Sequence, residues 1–184
     1  MSSHYLVDED GAIYQLVVEK ERAWHAGVSF WRGNRNINHR SIGIELVNKG
    51  HEFGYSPFPR AQMEAVTILC RDILTRHAIP ARNVVGHSDI APGRKQDPGE
   101  LFDWKFLAEK NIGLFPGNID LRSTPLTGTT ALSSYGYDTG DLQQAIIAFQ
   151  RHFRPDNLSG GWDDECSRIL SSLMKEEAIA DNGK

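Results

Sequence analysis

An α/β domain followed by a small helical unit is the architecture this sequence predicts, and three observations predict it. Over about the first 115 residues, short alternating apolar runs interleave with helix-periodic stretches, the pattern of a central sheet flanked by helices. From Pro116 to Thr130 the chain turns rich in Pro, Gly, Ser and Thr and poor in apolar side chains, as linkers do. Beyond it, three helix-length segments carry Leu132, Ile146, Phe149, Phe153, Trp162, Ile169 and Leu173, which can share a core. The expected division of the 184 residues is therefore a domain at 1–117, a linker at 118–130 and a three-helix unit at 131–184.

The elements follow in order. Tyr5-Leu6-Val7 and Ala12 to Val17 read as two strands joined by Asp8-Glu9-Asp10-Gly11, because Asp-Gly between apolar runs tolerates the positive φ of a tight hairpin. Glu19 to Arg40 is irregular and rich in Trp, Gly, Asn and Arg. Ser41 to Val47 alternates, with Ile42, Ile44 and Leu46 on one face and Glu45 beside Gly43 and Val47 on the other. Pro59 opens a helix in which Met63, Val66, Cys70, Ile73 and Leu74 recur at helical spacing, and it stops before Pro80. Asn83 to His87 reads as a short strand ending in a histidine, Ser88 to Gly99 as a loop, and Asp103 to Lys110 as a second helix. In the tail, Ala131 to Tyr137, Asp141 to Phe153 and Asp163 to Met174 read as helices, with Asp141 and Asp163 placed as N-caps.

Composition narrows the function. A net charge of −4 and the lack of any Lys/Arg run argue against a nucleic-acid binder working through a basic field. No run of eighteen apolar residues marks a membrane span, and no basic-then-apolar leader marks an export signal. Cys70 and Cys166 sit in apolar helical patterns, so buried free thiols are expected rather than a disulfide or a thiolate metal site.

Four side chains have chemical potential together. His87 and Asp97, ten residues apart, are a ligand pair suited to zinc, and a catalytic zinc takes three protein ligands and an open water position. Lys95, two residues before Asp97 in an extended loop, points the same way and can stabilise an oxyanion. Glu45, on the face away from its apolar neighbours, can act as a general base. Taken singly, each has a plainer reading: a hydrogen-bonded histidine, a wet-face carboxylate, two solvated loop charges.

Longer motifs resolve the choice. Ala23 to Ser29, Asn36-Ile37-Asn38, Ser41 to Leu46 and Val85 to Gly99 together resemble the zinc-dependent N-acetylmuramoyl-L-alanine amidases, and within them the AmiD type. The resemblance spans most of residues 2–116. It implies a mixed central sheet flanked by helices, zinc as cofactor, and peptidoglycan or muropeptides as substrate. It implies His87 and Asp97 as zinc ligands, Glu45 as general base and Lys95 as the group polarising the scissile carbonyl. Trp24, His25 and Asn38 fall along the glycopeptide groove. It also implies the cell envelope or periplasm as the compartment, the relatives being outer-membrane lipoproteins. Tyr135-Gly136-Tyr137, Ile146 to Phe153 and Gly160 to Asp163 resemble a three-helix peptidoglycan-binding module, the alternative being a helical cap packed on the catalytic domain.

The family's third zinc ligand is a histidine closing a first strand that would precede Ser2 to Val7, and His4 does not match it by position. The expectation is a chain lacking that strand, binding zinc poorly, nearly inactive, and with an exposed sheet edge unless His4 or His25 compensates. The competing function is a non-catalytic muropeptide-binding protein.

Overall fold

The computed structural model describes residues 2–117, 119 and 126–182, the last four of these by backbone alone. Much of the expected linker, residues 118 and 120–125, lies outside the described residues. A three-stranded mixed sheet forms the centre: β1 (Tyr5–Val7) pairs antiparallel with β2 (Ile13–Gln15) and parallel with β5 (Ile44–Leu46). A separate two-stranded ribbon joins β3 (Phe30–Trp31) to β4 (Asn34–Arg35).

The β1–β2 hairpin closes as the Asp-Gly pair predicts, with Gly11 at φ 90° and its N–H donated to the Asp8 carbonyl. β2 is shorter than the expected Ala12 to Val17. The amides of Leu16 and Val17 both turn to the carbonyl of His4, a two-on-one pairing that ends the ladder.

Helix α2 (Arg60–Arg76) follows α1 (Gly50–Phe53) and lies on the apolar face of the sheet. Met63, Val66, Leu69 and Ile73 pack there with Tyr5, Val7 and the partly buried Ile42, Ile44 and Leu46. Gln62, a polar residue of the same helix, is fully buried, and its amide donates to the carbonyls of Val7 and Val47, both at 3.0 Å. That contact ties the ends of β1 and β5 to the helix.

The strand expected at Asn83 to His87 is not formed. A 3-10 turn occupies Ala81–Asn83, and His87 opens the short helix α3 (His87–Ile90) instead of closing a strand. Local partners explain this. The Asp89 carboxylate accepts the Gly86 N–H at 2.7 Å, and the His87 carbonyl accepts the Ala91 N–H at 3.0 Å. Val84 and Val85 stay extended and divide between the two apolar clusters.

Helix α4 (Trp104–Ala108) is capped by Asp103, which accepts the Phe106 N–H at 2.8 Å. The tail holds α5 (Gly128–Tyr135), α6 (Leu142–Phe153) and α7 (Asp164–Asn182), the last running past the expected Met174. Asp141 and Asp163 cap α6 and α7 as placed, accepting N–H groups of Gln144 and Cys166. The tail residues named above share one apolar cluster with Ala26, Trp31, Ile37, Ile90 and Ala91. Cys70 and Cys166 are both free, and Cys166 is fully buried.

Candidate active site

His87 is presented by the first residue of α3, and its ring is fixed on two sides. Nε2 lies 3.0 Å from the Ala26 carbonyl oxygen, and Nδ1 lies 2.9 Å from Oδ2 of Asp97. The Ser88 N–H donates to the Asp97 carbonyl at 2.9 Å, so backbone as well as side chains holds the two residues together. A ring with its proton on Nδ1 donates to Asp97 and lets Nε2 accept from the Arg94 guanidinium, 3.3 Å away; a ring with its proton on Nε2 donates instead to Ala26.

The electrostatics agree. Withdrawal from water alone would raise the Asp97 carboxyl; the hydrogen bond and charge of His87, with Lys95 beyond, outweigh it and hold the group below the usual carboxylate value. About half of the Asp97 side chain, 53%, remains exposed, so the pair opens to solvent on that side. Arg94 braces the opposite wall: its guanidinium donates to the carbonyls of Ala26 at 2.6 Å and Val28 at 3.1 Å. This role for Arg94 was not legible in the spacing, since the carbonyls it grips lie more than sixty residues away.

His25 lies against Gly43. A Cβ built on Gly43 would sit 2.3 Å from Cγ of His25, so only glycine leaves room for the ring. Glu45, two residues along β5, shares that face of the sheet, as the alternation predicts. Burial first, then the nearby charges of His4 and His87, push the His25 imidazole down to about 4. Its Nε2 is buried without a hydrogen-bond partner among the described residues.

Asn38 does not offer its side-chain oxygen to a groove. Oδ1 accepts the N–H groups of His25 at 3.0 Å and Ala26 at 2.7 Å, which fixes the segment around the His87 acceptor carbonyl. Trp24 is 55% exposed, with the Arg22 guanidinium 3.7 Å above its ring. Next along the chain, Val28 is 82% exposed.

The donor set can be tested against zinc. His87 and Asp97 are adjacent and of the right chemical type. His4 is not available, because Nδ1 accepts the Gly43 N–H and Nε2 is bonded to the Glu21 carbonyl. Among the described residues no group of three or more His, Cys, Asp or Glu side chains is arranged to hold a metal ion. Among the described residues, His87 and Asp97 are thus the metal-type donors found bonded side by side.

The family model for N-acetylmuramoyl-L-alanine amidases (Amidase_2) matches residues 1–100. The chain belongs to the N-acetylmuramoyl-L-alanine amidase family. Its amidase relatives include AmiD of Escherichia coli (strain K12), 40% identical over 96% of this chain and 74% of that protein. The structure of E. coli AmiD in complex with the substrate anhydro-N-acetylmuramic acid-L-Ala-D-gamma-Glu-L-Lys superposes with a TM-score of 0.86, covering 95% of this chain and 79% of that one. AmpDh3 from Pseudomonas aeruginosa, at 35% identity, also gives 0.86, covering 96% and 83%. The amidase likeness thus extends through the helical tail as well as the sheet domain. Among the described residues, no helix is long and apolar enough to cross a membrane.

Proposed function

We propose that this chain is an N-acetylmuramoyl-L-alanine amidase by type, built to hydrolyse the amide between the muramoyl lactyl group and L-alanine of a muropeptide. The observation that carries the reading is the His87–Asp97 pair, 2.9 Å apart and open to solvent, in a chain that aligns with AmiD over nearly its whole length.

In this reading Lys95 sits at the mouth of the site, where its charge already reaches Asp97, and stabilises the oxyanion that forms at the scissile carbonyl. Glu45, on the His25 face of β5, takes the proton of the attacking water and returns it to the leaving amine. His87 and Asp97 would hold zinc as two ligands of the family centre. Exposed Trp24 offers an aromatic surface to the sugar, His25 lines the floor beside Gly43, and Asn38 holds the groove wall in place. The likeness to AmiD supports the cell envelope or periplasm as the compartment. The division into a sheet domain at 1–117 and a helical unit at 131–184 belongs to the same proposal, with the shared apolar cluster favouring a packed cap over a free module.

The lack of a three-donor group among the described residues favours a second reading, a muropeptide-binding protein without turnover. The two separate in one experiment: incubation with anhydro-muropeptide in zinc-containing buffer, followed by mass spectrometry and calorimetry. Release of a peptide beginning with L-alanine, abolished by Glu45→Gln, supports the amidase. Binding without any release supports the second reading, and neither binding nor release overturns both.

A further inference from the structure

Asp89 is fully buried two residues beyond His87, and all three of its described donors are neatly divided. Oδ2 accepts the Gly86 N–H at 2.7 Å and faces His152 Nδ1 at 2.7 Å, while Oδ1 accepts the Tyr137 hydroxyl at 2.7 Å. Gly86 is the cap of α3, the turn whose first residue is His87. His152 and Tyr137 belong to the helical tail, in α6 and just after α5. The His152 ring also stacks on Trp104 of α4, centroids 3.9 Å apart, so both halves of the chain clasp it.

A carboxylate sealed from water is tolerable only while its partners are present. Without the two tail donors, the carboxylate would be left with one backbone N–H. It would then turn toward water, and the Gly86 bond would weaken. We infer that Asp89 is a positioning residue: Tyr137 and His152 hold its carboxylate so that it fixes Gly86 and the turn presenting His87. The helical tail is thereby part of the active-site scaffold, independent of whether it also touches glycan. The inference rests on reading His87 as a metal ligand, but its test needs neither metal nor turnover.

The experiment is amide hydrogen exchange by NMR on the full chain, with His87 ring signals recorded alongside and unfolding midpoints measured separately. Tyr137→Phe removes one oxygen; His152→Phe removes the donor and keeps a ring on Trp104; His152→Asn returns a donor near the Nδ1 position. Both Phe variants are expected to speed Gly86 exchange about tenfold relative to the α2 amides and to shift the His87 ring signals. His152→Asn is expected to recover most of both. Gly86 exchange that is unchanged, or that moves only in step with α2, would overturn the inference, as would an Asn variant no better than Phe. Should His152→Phe fail to fold, Tyr137→Phe gives the same decision. A chain without amidase activity leaves this result readable, so failure of the functional proposal and failure of the brace are distinct.

Discussion

Nδ1 of His87 faces Oδ2 of Asp97 across 2.9 Å, while the Nε2 edge of the same ring is anchored on the Ala26 carbonyl. This arrangement makes the pair depend on the segment that supplies the Ala26 carbonyl, and that segment depends on Asn38 and Arg94.

Asn38→Ala removes the acceptor of two backbone N–H groups. The expected cost is about 1–3 kcal/mol, with loss of muropeptide affinity through displacement of residues 25–26. Asn38→Asp keeps the acceptor and should retain both stability and affinity. Urea unfolding and calorimetry check this. If Asn38 acts instead by touching ligand through its amide, Asp fails on affinity while keeping stability.

Gly43→Ala places a methyl group where the His25 ring lies, 2.3 Å from Cγ. The ring must move outward, at an expected cost of about 1–3 kcal/mol. Exposed to water, His25 should titrate closer to 6.5 than to its present value of about 4. An NMR titration of the His25 ring reads the shift, and an unaltered midpoint would contradict the close packing.

Acid should weaken the clasp between the strand β2 exit and the end of α2. Glu19 bonds Arg76 and Tyr5, both at 2.6 Å, and His77 at 2.7 Å. The hydrogen bond from Arg76 leads, against an opposing effect of partial burial, and the carboxyl is lowered from 4.5 to about 2. A folded-state value below the unfolded one means the stabilisation is full above 4.5 and is lost as pH falls toward 2. Urea midpoints of the wild type and Glu19→Gln should differ at about pH 6 and converge near pH 2.5. A gap that does not narrow with acid would refute the assignment.

How far the sequence reached follows from how local each signal is. His87 and Asp97 lie in one continuous sequence motif, so their pairing was legible. The α3 turn was not, because an apolar Val-Val-Gly run looks like a strand until Asp89 is seen capturing the Gly86 N–H. Likewise the backbone bonds of Asn38 were not legible, since no periodicity reveals a side chain bonding backbone twelve and thirteen residues away. The tail helices and their caps were readable one by one. Their merging with Ala26, Trp31 and Ile90 in one core was not, because those contacts join segments remote in sequence.

In the proposed function His87 and Asp97 bind metal together, as two donors of the amidase centre. Zinc titration of the purified chain by calorimetry, with elemental analysis after dialysis, tests it most directly. The account predicts zinc bound weakly enough to be lost on dialysis, and no binding at this site in His87→Ala or Asp97→Ala. One zinc per chain surviving dialysis, or binding indifferent to both substitutions, would contradict it.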